Sequence, residues 1–384
     1  MRRSKFILAG AIVLTSARAF AADCTMAQLA ISPYAVIDPC TARLKETGLT
    51  DLEKSQAHFV RGRGYHRAKR LDDAHGDYRA AFALDPTNVE ILVSWSNVDL
   101  RRGRLSDYTA RIEQAVSLAP NNPRVLRVLG QMLQNAGENE MAIETYGKAL
   151  SVDPAEPFSL YFRAELYSQQ RKFKQALADA DALVAIPRKT LDEHGFLNGH
   201  GVMQDFLSAA LIQRADILSE AGQVDLAARD YDAAVAAERS VRALLSRGWF
   251  LRGMADRRLD ALRDLEEVLA AEPRNGEALY SLAFTLAELG RYEDAFTAFD
   301  ARIKLRPSDG VSLGMRARLH RQFGRTDEAV RDLERAVMID PRERERTMRS
   351  LRRAGYWTSQ QTPQEMMPEL RDAIRACMLD TMCN

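Results

Sequence analysis

Two histidines, His194 and His200, sit in one short stretch with the carboxylates of Asp192, Glu193 and Asp205. Imidazole and carboxylate together could hold zinc. The spacing matches no helix-borne zinc motif, and Gly195, Gly199 and Gly201 imply a flexible loop, so solvated polar side chains, or a loop that gates a neighbouring surface, are favoured over a metal site. Four cysteines form a second group, Cys24 and Cys40 near one end and Cys377 and Cys383 near the other. Three pairings exist. The local pairs, Cys24 with Cys40 and Cys377 with Cys383, are favoured; free buried thiols at one end are the alternative. Six residues along an unbroken helix rise about 9 Å, beyond the reach of a disulfide, so the second pair requires a helix that ends near Asp380. A third group recurs along the chain. Arg61 and Asp77, Arg163 and Asp179, Arg214 and Asp230, and Arg316 and Asp332 each stand sixteen residues apart, and Arg247 and Asp264 seventeen. No nucleophile elbow, phosphate-cradling glycine loop, paired metal histidines on a helix or two-spacer cysteine pair accompanies them. The expectation is no catalysis, no cofactor and no metal.

The elements that carry these groups begin after an address. Arg2, Arg3 and Lys5 precede an apolar run from Phe6 to Leu14, and Ala19-Phe20-Ala21 forms a small-x-small cleavage site. The run is too short to span a bilayer, so residues 1–21 are expected to be a signal peptide cut near Ala21. A twin-arginine signal is the lesser alternative, because Lys5 stands where that pattern prefers an apolar residue. Asp23 before Cys24 argues against a lipoprotein. Cleavage leaves 50 basic against 53 acidic residues. Without a clustered basic excess, nucleic acid is not the expected partner. The cysteines suit an oxidising compartment, and no second apolar segment is long enough for an integral membrane anchor. A bacterial-style periplasm, or secretion, is expected.

Residues 123–154 show the organising unit. Leu129, Gly130, Leu133, Gly137, Ala142, Tyr146, Ala149 and Pro154 are spaced as two antiparallel helices. Gly130 and Ala142 are small where the helices cross, while Leu129, Leu133, Tyr146 and Leu150 fill the seam. The stretch resembles the tetratricopeptide repeat (TPR), whose period is about 34 residues. Similar copies begin at residues 55, 89, 157, 208, 242, 276 and 310. The resemblance implies an all-α, right-handed TPR superhelix of about eight repeats, with helical caps. Residues 22–54 are read as an N-terminal cap and degenerate half repeat, with a helix opening at Asp38-Pro39 and running through Leu44. Residues 55–341 form the solenoid, with an inserted loop at 187–207, and residues 342–384 form a C-terminal helical cap.

Register within the repeats gives the arginine–aspartate series a meaning. Arginine stands at the seventh position of the first helix and aspartate in the second helix, predicting an ion pair inside each such hairpin; a solvated echo of repeat duplication is the alternative. Where the seventh position is apolar the acid is gone: Leu129 faces Thr145, Leu282 faces Ala298 and Trp95 faces Arg111. The longer spacing of Arg247 and Asp264 predicts one inserted residue in the turn of that repeat.

The family implies a ligand groove lined by the first helices. Its positions fall here on Arg127 and Gln131 with Arg124, on Tyr161 and Glu165 with Phe158, on Asp216 with Ile212, on Tyr280 and Phe284, on Arg318, and on either Trp249 or Phe250. Aromatic and arginine side chains suit a protein or peptide ligand, although packing between repeats can use the same rings. The carboxylate-clamp subclass is not matched, since its positions read Phe59 and Arg63, Ser94, then Arg124 and Val128. In the tail, Leu351, Gly355, Tyr356, Leu370, Ala373 and Ile374 faintly resemble a short helical peptidoglycan-binding domain, but Ser359-Gln360-Gln361-Thr362-Pro363 replaces its glycine loop. A cap over the last repeat is the favoured reading of that region, and a cell-wall tether the alternative.

Overall fold

The computed structural model describes residues 24–187, 206–359 and 363–380, and all regular structure among them is helical. The signal stretch, the histidine stretch from Asp192 to Asp205, and Cys383 lie outside the described residues. The chain divides into two compact units at Phe206 and Leu207. The first holds α1 (Met26–Ile31), α2 (Tyr34–Arg43), α3 (Asp51–Arg67), α4 (Leu71–Leu84), α5 (Val89–Arg101), α6 (Leu105–Leu118), α7 (Pro123–Asn135), α8 (Asn139–Val152), α9 (Pro157–Gln169) and α10 (Phe173–Val184). The second holds α11 (Phe206–Glu220), α12 (Val224–Ala237), α13 (Val241–Leu251), α14 (Arg258–Ala271), α15 (Gly276–Glu288), α16 (Tyr292–Leu305), α17 (Gly310–Gln322), α18 (Thr326–Ile339), α19 (Pro341–Arg353) and α20 (Pro368–Leu379). Within each unit, from α3 onward, helices pair as hairpins, and the second helix of one hairpin packs on the first of the next. This is an α-solenoid.

Local chemistry sets the boundaries. Asn88, Asn122, Ser240, Asn275, Asp309 and Asp340 each cap the helix that opens a hairpin by accepting backbone N–H bonds. Within hairpins the turn needs one left-handed residue. Gly103, Gly137, Gly222, Gly290 and Gly324 supply it with φ between 66° and 84°, and Lys69 and Arg171 adopt it in the first and fourth hairpins. The 242–275 repeat differs: its turn runs over 252–257 and contains a 3-10 segment, Ala255–Arg257. That longer turn adds a residue between helix starts, as the Arg247 and Asp264 spacing predicted.

The arginine–aspartate series forms the described ion pairs inside the hairpins. Arg61 and Asp77 meet through two bonds of 2.7 Å, Arg163 and Asp179 at 2.8 and 2.6 Å, and Arg214 and Asp230 at 2.6 and 2.8 Å. Arg247 and Asp264 meet at 2.7 and 2.8 Å, and Arg316 and Asp332 at 2.7 Å twice. All five carboxylates are buried. The second hairpin keeps an ion pair with its polarity reversed: Arg111 on α6 donates to buried Asp99 on α5, and its guanidinium lies 3.4 Å from the Trp95 ring centroid. The loss of the acid at residue 111 therefore does not remove the pair. Asp99, four residues after Trp95 on the same helix face, is where the charge moved.

Asp77 illustrates the pH consequence. Burial alone would raise its pKa, but hydrogen bonds from Arg61 and His58 outweigh that and hold it below the usual carboxylate range. A lowered folded pKa contributes stability above the unfolded value of about 3.9, lost as pH falls through the folded pKa. Asp77→Asn should therefore cost about 1–3 kcal/mol at pH 7, and the difference should shrink below pH ~3.9. Urea midpoints of both forms at neutral and acid pH measure this.

Two boundaries differ from the sequence reading. The helix expected from Asp38 starts at Tyr34, and Pro39 lies inside it. Burial decides: Val36 and Cys40 pack with Leu29 and Val60, Ile37 is buried beside them in sequence, and that burial outweighs the backbone bond proline cannot make. Likewise α3 begins at Asp51, four residues before residue 55, because Thr50 and Glu53 form a reciprocal capping box. Cys24 and Cys40 are bonded, with Cα atoms 4.7 Å apart, tying the chain before α1 to α2. Cys377 is also disulfide-bonded, and α20 ends at Leu379, before Asp380.

Past Pro341 the chain closes the last repeat. Leu351, Leu370, Ala373, Ile374 and Cys377 pack with Ala317, Val330, Leu333 and Val337. Glu345 and Arg349 form an i, i+4 pair at 2.8 Å on the exposed side of α19.

Candidate functional site

The residues expected to line a groove are distributed over both units, and the structure gives them different neighbours. In the first unit, Arg127 on α7 lies 3.1 Å from Gln131, 3.6 Å from the buried carboxylate of Glu156, and 5.0 Å from the Phe158 ring centroid. On α9, Tyr161 meets Phe162 edge to face at 5.5 Å, Phe158 stacks on Phe162 at 6.2 Å, and Glu165 is half-buried one turn on. Arg124 reaches back to Glu90 at 2.6 Å. Arg124, Arg127 and Phe158 are engaged across neighbouring hairpins, while Gln131 and Tyr161 meet partners on their own helices.

In the second unit Asp216 is exposed and accepts from the hydroxyl of Tyr231, while Ile212 is buried. Arg318 is exposed but lies 3.3 Å from Glu343, a buried carboxylate at the start of α19. It clasps the terminal cap to the last repeat.

The remaining aromatics converge. Trp249 on α13 is 52% exposed, whereas Phe250 packs 4.7 Å from Tyr231, so the first of the two faces solvent. Tyr280 and Phe284 lie one turn apart on α15, the adjoining first helix. Between them stands Arg252, which sequence reasoning did not single out. Its guanidinium is 4.6 Å from the Trp249 centroid, 5.4 Å from Phe284 and 5.6 Å from Tyr280. Nη1 donates to Ser281 Oγ at 2.9 Å. Burial pushes the guanidinium pKa down. One signal could have found it: with Trp249 as the exposed position, a residue three further on shares its helix face.

Among the described residues, no group of three or more His, Cys, Asp and Glu side chains could hold a metal ion. The zinc reading of His194 and His200 lies outside them. No described helix is long and apolar enough to cross a membrane.

Tetratricopeptide-repeat family profiles match residues 124–156, 255–319 and 311–343. The chain carries tetratricopeptide repeats. Cellulose synthase operon protein C of Xanthomonas axonopodis pv. citri (strain 306) is 30% identical over 249 residues, 61% of this chain and 16% of that protein. The Hsp70-Hsp90 organizing protein of Triticum aestivum is 23% identical over 205 residues, 53% of this chain and 32% of that one. The chain thus spans less than a third of either relative. Among solved structures, the APC/C hetero-tetramer Cut9-Hcn1 aligns over 80% of this chain and 57% of that one, with a TM-score of 0.54 and 13% identity. That is a likeness of fold. Solenoids of TPR repeats are in general scaffolds for protein partners, because each repeat adds surface to an extended face without itself supplying chemistry.

Proposed function

We propose that this TPR protein is a non-catalytic periplasmic scaffold that holds a protein or peptide against its first helices. The observation that carries the proposal is the group formed by Trp249, Tyr280 and Phe284 around Arg252, where an indole remains half in solvent instead of packing between hairpins. Clustered aromatic and arginine side chains are the residue types that dominate binding energy at protein interfaces. Trp249→Ala/Tyr280→Ala should keep native helicity and lose at least about ten-fold of partner recovery in cross-linking co-purification from an envelope extract, as expected for hot-spot truncation. Equal recovery by both forms would refute the assignment of the groove.

Export rests on the features of residues 1–21, with cleavage near Ala21. The cysteine bonds suit that placement, since disulfides persist in oxidising compartments. The mass of the protein released by osmotic shock tests it, and a form retaining the first 21 residues in the cytosol would count against export. Peptidoglycan tethering through the tail is the competing reading. It is disfavoured because the apolar residues of α19 and α20 are engaged by the last repeat. Sedimentation with purified cell wall separates the two.

A further inference from the structure

Arg252 differs from the arginines of the hairpin series. Arg214, Arg247 and Arg316 in the same unit each hold a buried aspartate. Among the described residues no carboxylate stands within ion-pair distance of Arg252, and Ser281 Oγ is its one side-chain acceptor. None of its nitrogens is a buried, unbonded atom, so the unused donors face accessible space. A guanidinium carries five N–H donors in a planar fork, and here the plane is flanked by Trp249, Tyr280 and Phe284. The rings restrain the side chain without neutralising it. Arg63 in the first unit makes an instructive contrast. It also has no carboxylate partner among the described residues, but its guanidinium lies 3.9 Å from Met26 Sδ of α1 and 5.9 Å from the Phe59 ring centroid, so the N-terminal cap covers it. The half-exposed indole of Trp249 leaves Arg252 open instead.

A restrained, partly desolvated cation with free in-plane donors is preorganised for a planar anion that accepts two parallel bonds. The nearby Arg258 is engaged by Glu288 at 2.7 Å, so the site offers one uncompensated charge. One positive charge matches a carboxylate better than a phosphate dianion. We propose that Arg252 receives a carboxylate of the bound peptide, a side chain or the C-terminus, while Trp249, Tyr280 and Phe284 take an apolar residue next to it. This rests on the peptide-binding reading above and specifies its ligand.

The test uses the full mature chain and an array of random dodecapeptides, each printed in four forms: with its Asp and Glu, or with Asn and Gln in their place, and each with a free or amidated C-terminus. The expected result is retention of acid-bearing forms about ten-fold above their neutral counterparts, the scale of a charge-assisted hydrogen bond. The terminal arm distinguishes the two sources of the carboxylate. Arg252→Gln should abolish the preference and Arg252→Lys should keep part of it. Equal retention of acidic and neutral forms by the native protein overturns this inference while leaving peptide binding intact. No retention of any form overturns both. The comparison of forms on the native protein decides the matter even if Arg252→Gln lost helicity.

Discussion

Tyr146→Ala is expected to lower the stability of the first unit by about 3–5 kcal/mol, the usual cost of truncating a buried aromatic ring. The ring is fully buried, stacks at 6.0 Å on Phe162, and packs with Ala142 and Leu166, while its hydroxyl donates to Gln134 at 3.0 Å. Tyr146→Phe should cost only about 1 kcal/mol, since it loses that hydrogen bond and keeps the packing. The ring also explains Gly130. A methyl group there would lie 2.5 Å from Tyr146 Cε1, so Gly130→Ala should destabilise by about 1–3 kcal/mol through overpacking. In the Tyr146→Ala background that penalty should disappear. Urea titrations of the four forms measure the coupling, and additive effects would refute the proposed contact.

Asp179→Ala should cost about 2–3 kcal/mol, somewhat less than a fully buried pair because Arg163 keeps 22% side-chain exposure. The loss comes mainly from leaving the guanidinium of Arg163 without the two bonds that Asp179 accepts. Arg163→Met/Asp179→Leu should recover most of it, because apolar residues of similar volume remove the stranded charge. Were the double replacement no better than the single one, the pair would be supplying something besides mutual compensation. Urea midpoints of native, single and double forms distinguish these outcomes.

The repeat architecture was legible because it is periodic and local. Small residues at the crossing, an aromatic facing Gly130 and proline after the second helix recur at a fixed interval, and helical geometry converts that interval into faces. Intrahairpin pairs such as Arg163 and Asp179 followed from the same register. The start of α3 is also written locally, in the capping box of Thr50 and Glu53, four residues ahead of where the repeat period alone puts it.

Other features depended on contacts that register alone does not encode. Pro39 reads as a helix start, yet the burial of Val36, Ile37 and Cys40 carries α2 back to Tyr34. Arg127 and Arg318 occupy groove positions in the repeat, but nearby carboxylates, Glu156 and Glu343, draw them into packing between elements. Arg252 shares a helix face with Trp249, but that spacing does not tell which groups reach it. Its distinction is that three rings and a serine reach it while no described carboxylate does. Spacings of a few to seventeen residues were enough to set the helices, their pairing and the five arginine–aspartate pairs of the series, since all of these are local. That Arg252 met rings and a hydroxyl and no described carboxylate was decided by the stacking of one hairpin on the next, because that stacking sets which long side chains meet.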